Sequence, residues 1–311
     1  MTGLRTLLDE YLATRRALGA ALAEPELLLK SFLGFLEQQE TAFVATPLAL
    51  EWATKPQGVQ PAHWAKRLAA VRAFARYASA ADPRHEVPPE GLLPARPQRA
   101  TPYLYSDEEI AGLLDAARRL PSRTGLRPCT YATLLALLAV TGMRSSEPVR
   151  LERGDVDLGD GILTVRNSKF GKSRLIPVHE STNRALAAYA GERDRLCPRP
   201  LDPAFFLSER GTRITQHTLQ QTFVQLSRQV GLRSPSDSFG PRLHDLRHRF
   251  AVSTLLRWHR DGLDVEQRLP HLATYLGHAH VSDTYWYLTA TPELLQCAAR
   301  RLDRTARRLP A

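Results

Sequence analysis

Lysine is scarce in this 311-residue sequence: there are five against 37 arginines, and past residue 102 only Lys169 and Lys172 occur. Cysteine is scarcer still. Cys129, Cys197 and Cys297 are odd in number and far apart, which argues against a disulfide framework and against a cysteine-built metal site. They read as reduced thiols. No run of eighteen apolar residues occurs, so no membrane-spanning helix is readable. The opening "MTGLRTLLDEYL" is charged and amphipathic, unlike a secretory signal. The expectation is a cytoplasmic protein with no membrane partner.

Positive charge is plentiful. Residues 1–100 carry twelve Lys/Arg against ten Asp/Glu, and residues 101–311 carry thirty against twenty-two, so the net +10 divides as +2 and +8. Such a balance points to a polyanionic partner, and the planar guanidinium binds phosphate bidentately where an ammonium acts as a point charge. A GC-rich genome gives the same arginine excess, and a basic membrane-surface or RNA-binding protein has the same charge. Composition alone leaves these open.

Apolar residues recur at helical spacing in Leu4, Leu7, Leu8, Tyr11 and Leu12, in Leu27, Leu28, Phe32, Phe35 and Leu36, and in Trp64, Leu68, Val71, Phe74 and Tyr77. They predict a small helical domain over residues 1–82. Six prolines in "DPRHEVPPEGLLPARPQRATP" then stop the periodicity, and residues 83–102 read as a stiff, basic linker. A second domain, 103–311, opens on a helix with Ser106 as N-cap and Glu109 three residues on. It continues with the apolar "YATLLALLAVTG", then "GDGILTVRNSKFGKSRLIPV" as a β-hairpin with a polar tip, and is helical from there to the end. The class is mainly α with a small β-sheet, α+β.

Four stretches of the second domain could carry chemistry. In "PRLHDLRHRFAVSTLL", His244, Arg247 and His248 fall on one face near a helix start, where imidazole and guanidinium can meet an oxyanion; a solvated basic face accounts for the same pattern. In "TGMRSSE", Gly142 ends the apolar helix, with Arg144 and Glu147 following at the junction, an arrangement common at surfaces. Lys169 and Lys172 share the hairpin tip, from which a lysine could protonate a leaving oxygen or merely aid solubility. In "YLGHAHVSDTYWYL", His278 and His280 precede Tyr285 and Tyr287. A tyrosine attacks phosphorus only where cations or a base stabilise its charge, and aromatics at such spacing also serve as core. Residues two apart on a helix point about 200° apart, so only one of the two tyrosines can face a site.

Taken together, "TGMRSSE", a lysine hairpin ending in "KSRLIPV", "HDLRH", and "LGH" followed nine residues later by a tyrosine resemble the tyrosine recombinase (phage integrase) family, in an Xer-like form. The resemblance covers about residues 103–300, and the helical region before the linker is similar to that family's core-binding domain. It implies that Arg144 and Arg247 bind the scissile phosphate and that Tyr287 is the nucleophile. Lys169, five residues before Arg174, would be the general acid, with Lys172 at a later, non-catalytic position. His244 and His278 match the family's two histidines, and Glu147 the acidic residue supporting the arginine junction. His248 and His280 are supporting or structural. Pro148 departs from the usual aliphatic residue, and "TYWYLTATPE" replaces the commoner tail and resembles transposon-associated members.

The resemblance further implies a site-specific recombinase or integrase that works through a 3′-phosphotyrosyl intermediate and a Holliday junction. It implies no metal ion and no nucleotide cofactor. The expected partner is double-stranded DNA held between the two domains, with a homotetramer on paired sites and the apolar stripe of "TPELLQCAARRLDRTARRL" available to dock on a neighbour. Three alternatives stand beside this: a type IB topoisomerase with the same chemistry, a non-catalytic DNA-binding relative, and a histidine metal site on His244 and His248. The last lacks the glutamate of an HExxH helix.

Overall fold

The computed structural model describes residues 2–96, 102–168, 171–237, 239–289 and 293–296. The chain divides into two compact units, Met1–Ala100 and Thr101–Ala311. No described helix is long and apolar enough to cross a membrane.

The first unit has four helices, α1 (Thr2–Ala17), α2 (Ala23–Gln38), α3 (Thr46–Thr54) and α4 (Pro61–Ala81). Leu8, Tyr11 and Leu12 of α1 and Leu68, Val71 and Phe74 of α4 meet in one core with Phe32, Leu36 and Trp52. The phase of α2 differs from the expected one: Leu29 and Leu33 point inward, and Leu27 lies exposed. Helix α3, with a proline in its first turn, is too short at nine residues for its periodicity to stand out in the sequence.

The proline-rich stretch expected as a linker over 83–102 is laid on this unit as far as Leu93. Arg72 donates to the carbonyls of Pro88 and Pro89, both at 2.7 Å, and the Val44 N–H donates to His85 Nδ1 at 3.1 Å. Proline has no N–H but keeps its carbonyl. The segment therefore cannot extend a helix, yet it offers acceptors that an arginine can gather.

The second unit begins with α5 (Asp107–Arg118). Ser106 caps it: its hydroxyl accepts from the Glu109 N–H, and Glu109 accepts from the Ser106 N–H. Helix α6 (Leu126–Thr141) is apolar almost all round and buries Leu134, Leu135, Leu137 and Leu138 against α5, α7 (Glu180–Leu196) and α9 (Leu243–Arg260). Between α6 and α7 lies an antiparallel sheet in the order β1 (Val156–Asp157), β2 (Ile162–Val165), β3 (Arg174–Pro177), with Leu163 opposite Ile176 and Val165 opposite Arg174. Helices α8 (Gln216–Gln229), α10 (Val265–Leu276) and α11 (Ser282–Tyr285) follow, and a 3-10 turn, Trp286–Thr289, ends the continuous description. The architecture is mainly helical with a small sheet, as the sequence predicts.

One stretch after the hairpin is not helical. Pro198, Pro200 and Pro203 prevent a helix, and "AFFL" (204–207) instead runs extended through the core, with an isolated bridge from Glu152 to Ala204. Phe205 and Phe206 are fully buried, and the buried Arg193 donates to the carbonyls of Ala204 and Phe205. Of the expected C-terminal helix only residues 293–296 are described, and the remainder, with Cys297, lies outside the described residues.

Gly142 closes α6 at φ +61°, and a Cβ there would lie 2.5 Å from Phe250 Cδ1 and 3.1 Å from Leu276 Cδ2. Only glycine lets α9 and α10 come this close to the end of α6. Gly231 has a similar φ of +76° but open space around it. Gly142→Ala should therefore destabilise the protein more than Gly231→Ala, by on the order of 1–3 kcal/mol in urea unfolding, because it adds overpacking to the shared backbone strain.

Candidate active site

The site is built on the end of α10. A helix leaves its last carbonyls without intrahelical partners, and its C-terminus carries partial negative charge. Here three successive carbonyls are each taken by a different arginine. Tyr275 O accepts from Arg174 Nε at 2.8 Å, Leu276 O from Arg247 Nη2 at 2.8 Å, and Gly277 O from Arg144 Nη2 at 2.6 Å. Gly277 stands at φ +70°, and a Cβ there would come within 2.9–3.1 Å of the Arg174 guanidinium. The glycine of "LGH" is thus required both by backbone conformation and by the packed cation. Arg247 makes a second bond, from Nη1 to Gly142 O at 2.9 Å, tying the end of α6 to the end of α10.

Three guanidiniums on one helix end repel one another, and a buried carboxylate offsets this. Glu147 accepts from Arg174 Nη1 and Nη2, both at 2.8 Å, and from Arg144 Nη1 at 3.0 Å. It also accepts from the Arg144 backbone N–H at 2.8 Å and from Ser168 Oγ at 2.6 Å. Burial opposes its ionisation, but Arg174, Ser168 and the Arg144 N–H overcome that and hold its pKa down at about 2. Arg247, 2% exposed, is lowered to about 10 by burial, partly offset by Tyr287, and stays protonated at neutral pH.

Helix α9 places His244 and His248 one turn apart, with ring centroids 4.7 Å apart and edge to face. His244 has an exposed edge, yet desolvation of its ring and the charge of Arg247 lower its pKa. Burial pushes His248 down to about 4, helped by His244, and its Nδ1 is buried with no hydrogen-bond partner among the described residues. Burial, then Arg247 and Arg144, brings His278 to about 4, and its Nδ1 lies 2.7 Å from Thr284 Oγ1. All three imidazoles are neutral near pH 7. Among the described residues no group of three or more His, Cys, Asp or Glu could hold a metal ion.

The two tyrosines part company. Tyr287 is 3% exposed, stacked on His278 at 6.1 Å and tilted against His248 at 5.5 Å, whereas Tyr285 is 50% exposed. The structure therefore brings Arg144, Glu147, Arg247, His248, His278 and Tyr287 together, with His244 beside His248. His280 lies exposed in the bend before α11. Lys169 lies outside the described residues, and Lys172 is exposed on the hairpin.

Sequence reasoning passed over Arg174 as a spacing marker, and it overlooked Ser168 and Thr284. Nothing local marks Arg174 as a partner of Glu147, because the burial that makes this carboxylate need cations is created by the fold. Ser168 reads as an ordinary turn residue, and nothing local marks it. Chemically, the arrangement offers a cluster of fixed cations and neutral imidazoles next to a phenol, a setting suited to an anionic phosphorus centre.

The model of the phage integrase family matches residues 104–293. Over 308 residues the chain is 50% identical to the putative integrase/recombinase y4rB of Sinorhizobium fredii, covering 98% of both chains. It is 30% identical over 234 residues to the tyrosine recombinase XerD of Mycobacterium tuberculosis, covering 75% of this chain and 71% of the relative. In fold it is similar to the Tn1549 transposon integrase solved with transposon right end DNA, at a TM-score of 0.67 and 18% identity, covering 96% of this chain and 99% of that one. With a buried tyrosine beside the arginine-bound end of α10 and a family model spanning most of the second unit, the chain belongs to the phage integrase family of tyrosine recombinases.

Proposed function

We propose that this enzyme cleaves and rejoins duplex DNA at specific sites through a covalent bond to Tyr287. The observation that carries the reading is the stack of Tyr287 on His278, next to the carbonyls that fix Arg144 and Arg247. Tyr287 Oη attacks the scissile phosphorus, forming a 3′-phosphotyrosyl ester, and the bond to the 5′-oxygen breaks. Lys169 delivers a proton to that oxygen. The freed 5′-hydroxyl of a partner strand then attacks the phosphotyrosine, so the ester conserves the bond energy and no cofactor enters the balance. Arg144 and Arg247 meet the charge on the pentacoordinate phosphorus. His244 and His278, neutral near pH 7, can accept the tyrosine proton or donate to a phosphoryl oxygen.

Tyr287 is 3% exposed, so its Oη must become accessible for the attack we propose. Strand exchange joins two duplexes, and we assign four protomers on paired sites passing through a Holliday junction. Residues 1–82 would serve as a second DNA-binding domain, with the positive charge of 101–311 supplying salt-sensitive phosphate contacts.

On a nicked suicide duplex carrying the recombination site, Tyr287→Phe should form no covalent protein–DNA adduct while still shifting the DNA in a gel. Tyr285→Phe should form the adduct. An adduct from Tyr287→Phe would remove the assignment.

The depressed histidines also set an acid limit. Their folded pKa values, about 4 for His248 and His278, lie below the unfolded value of about 6.5, so between these pH values the unfolded chain binds more protons. Stability from this source is complete above about pH 6.5 and falls as the pH drops toward 4. The melting temperature should decline across that window, and the decline should be shallower in His248→Gln. Parallel curves for the two proteins would show that His248 does not contribute.

A further inference from the structure

The hairpin that carries Lys169 is joined to the arginine centre through Arg174 of β3 and, nearer its tip, through Ser168. Ser168 immediately precedes the lysine and is 8% exposed. Its hydroxyl donates to Glu147 Oε1 at 2.6 Å and accepts from Arg144 Nη1 at 3.1 Å, so one small side chain reads both members of that ion pair. Its backbone is held as well. The Ser168 N–H donates to Lys172 O at 2.8 Å, and its carbonyl accepts from the Gly171 N–H at 2.9 Å. The last paired position of the ladder is Val165 opposite Arg174, and beyond it the described residues are joined by such bonds and by one from the Asn167 N–H to Ser173 Oγ at 3.2 Å. Asn167, just before, adopts φ +46°, the left-handed region that asparagine enters readily in turns. Among the described residues of this turn, the Ser168 hydroxyl is the side-chain group that bonds to Glu147 and Arg144.

We propose that Ser168 is a positioning residue for the general-acid step: it registers the lysine-bearing tip to Glu147 and Arg144, and so to the phosphate those arginines bind. This rests on the reading of Lys169 given above. Consecutive Cα atoms are about 3.8 Å apart, so a shift at Ser168 passes almost undiminished to the root of the lysine side chain. The step it serves is balanced as before: the Tyr287 oxygen bonds to phosphorus, the bond to the 5′-oxygen breaks, and the proton on that oxygen comes from the lysine ammonium. Losing the hydroxyl leaves Glu147 its arginine partners, so the phosphate-binding cations remain in place. What is lost is the alignment of proton donor and leaving group. Glu147 holds the arginines, Arg144 meets the phosphate and Lys169 serves the leaving oxygen; this serine is hydrogen-bonded to the first two and adjacent in sequence to the third.

The test uses single-turnover formation of the covalent complex by the full chain, on suicide substrates with either a normal 5′-oxygen or a 5′-bridging sulfur. A sulfur leaving group departs without protonation, so it removes the need for the acid. Ser168→Ala should slow cleavage of the oxygen substrate roughly tenfold to a hundredfold and cleave the sulfur substrate within about threefold of the parent protein. Ser168→Thr, which keeps the hydroxyl, should recover most of the loss. Lys169→Ala should show the same pattern of loss and rescue, and this arm reports on the lysine reading by itself.

If Lys169→Ala is rescued and Ser168→Ala is slowed but not rescued, Ser168 acts through Arg144 or through folding, and the inference falls while the reading stands. An oxygen-substrate rate for Ser168→Ala equal to that of the parent overturns it as well. If Lys169→Ala is neither slowed nor rescued, the lysine reading and this inference fall together.

Discussion

Three guanidiniums share the C-terminal end of one helix, and the rest of the second unit is arranged so that they can. Arg174, Arg247 and Arg144 take the carbonyls of residues 275, 276 and 277 in turn. Each arrives from a different element: β3, α9 and the junction after α6. The negative end of α10 attracts them, but a helix end carries only about half a unit charge and cannot by itself hold three cations. Glu147 supplies the missing charge. Because it is buried and bonded to two of the three arginines, removing it would leave unbalanced cations at a site where breaking a buried pair typically costs about 3–5 kcal/mol.

The charge balance bears on the chemistry. Three guanidiniums and one carboxylate leave the centre at +2, and the neighbouring histidines are neutral near pH 7. A bound phosphodiester brings one negative charge and its pentacoordinate transition state brings two. In the reaction proposed above, such a centre would match the transition state better than the ground state, which is the condition for binding energy to lower a barrier. The two glycines serve the same end from the backbone side. Gly142 gives its carbonyl to Arg247 and lets Phe250 and Leu276 close in, while Gly277 makes room for Arg174. The short motifs around these glycines are thus pieces of one contact rather than separate signals.

Much of this was legible in the sequence because it rests on local rules. The capped start at Ser106, the glycine-terminated apolar helix and the alternation of the hairpin are local, and so is the half-turn separating Tyr285 from Tyr287. What could not be read depends on contacts distant along the chain. Ser168 meets Glu147 across 21 residues and Arg174 meets Tyr275 across 101, and neither pairing leaves a trace in the neighbouring sequence. For residues 204–207 the preceding prolines argue locally against a helix, but the hold of Arg193 on the carbonyls of Ala204 and Phe205 comes from 11 and 12 residues away. In the first unit, the proline-rich stretch to Leu93 reads as linker because its role is to accept bonds from Arg72, a partner 16 and 17 residues away.

The buried carboxylate organises the arginine centre, and Glu147→Gln tests this directly. The amide keeps the size of the side chain and removes its charge. At a temperature where circular dichroism shows the variant fully folded, single-turnover covalent-complex formation should fall by about 100-fold or more, while affinity for duplex DNA changes only about threefold. A folded Glu147→Gln protein that forms the covalent complex at the parent rate would contradict the account.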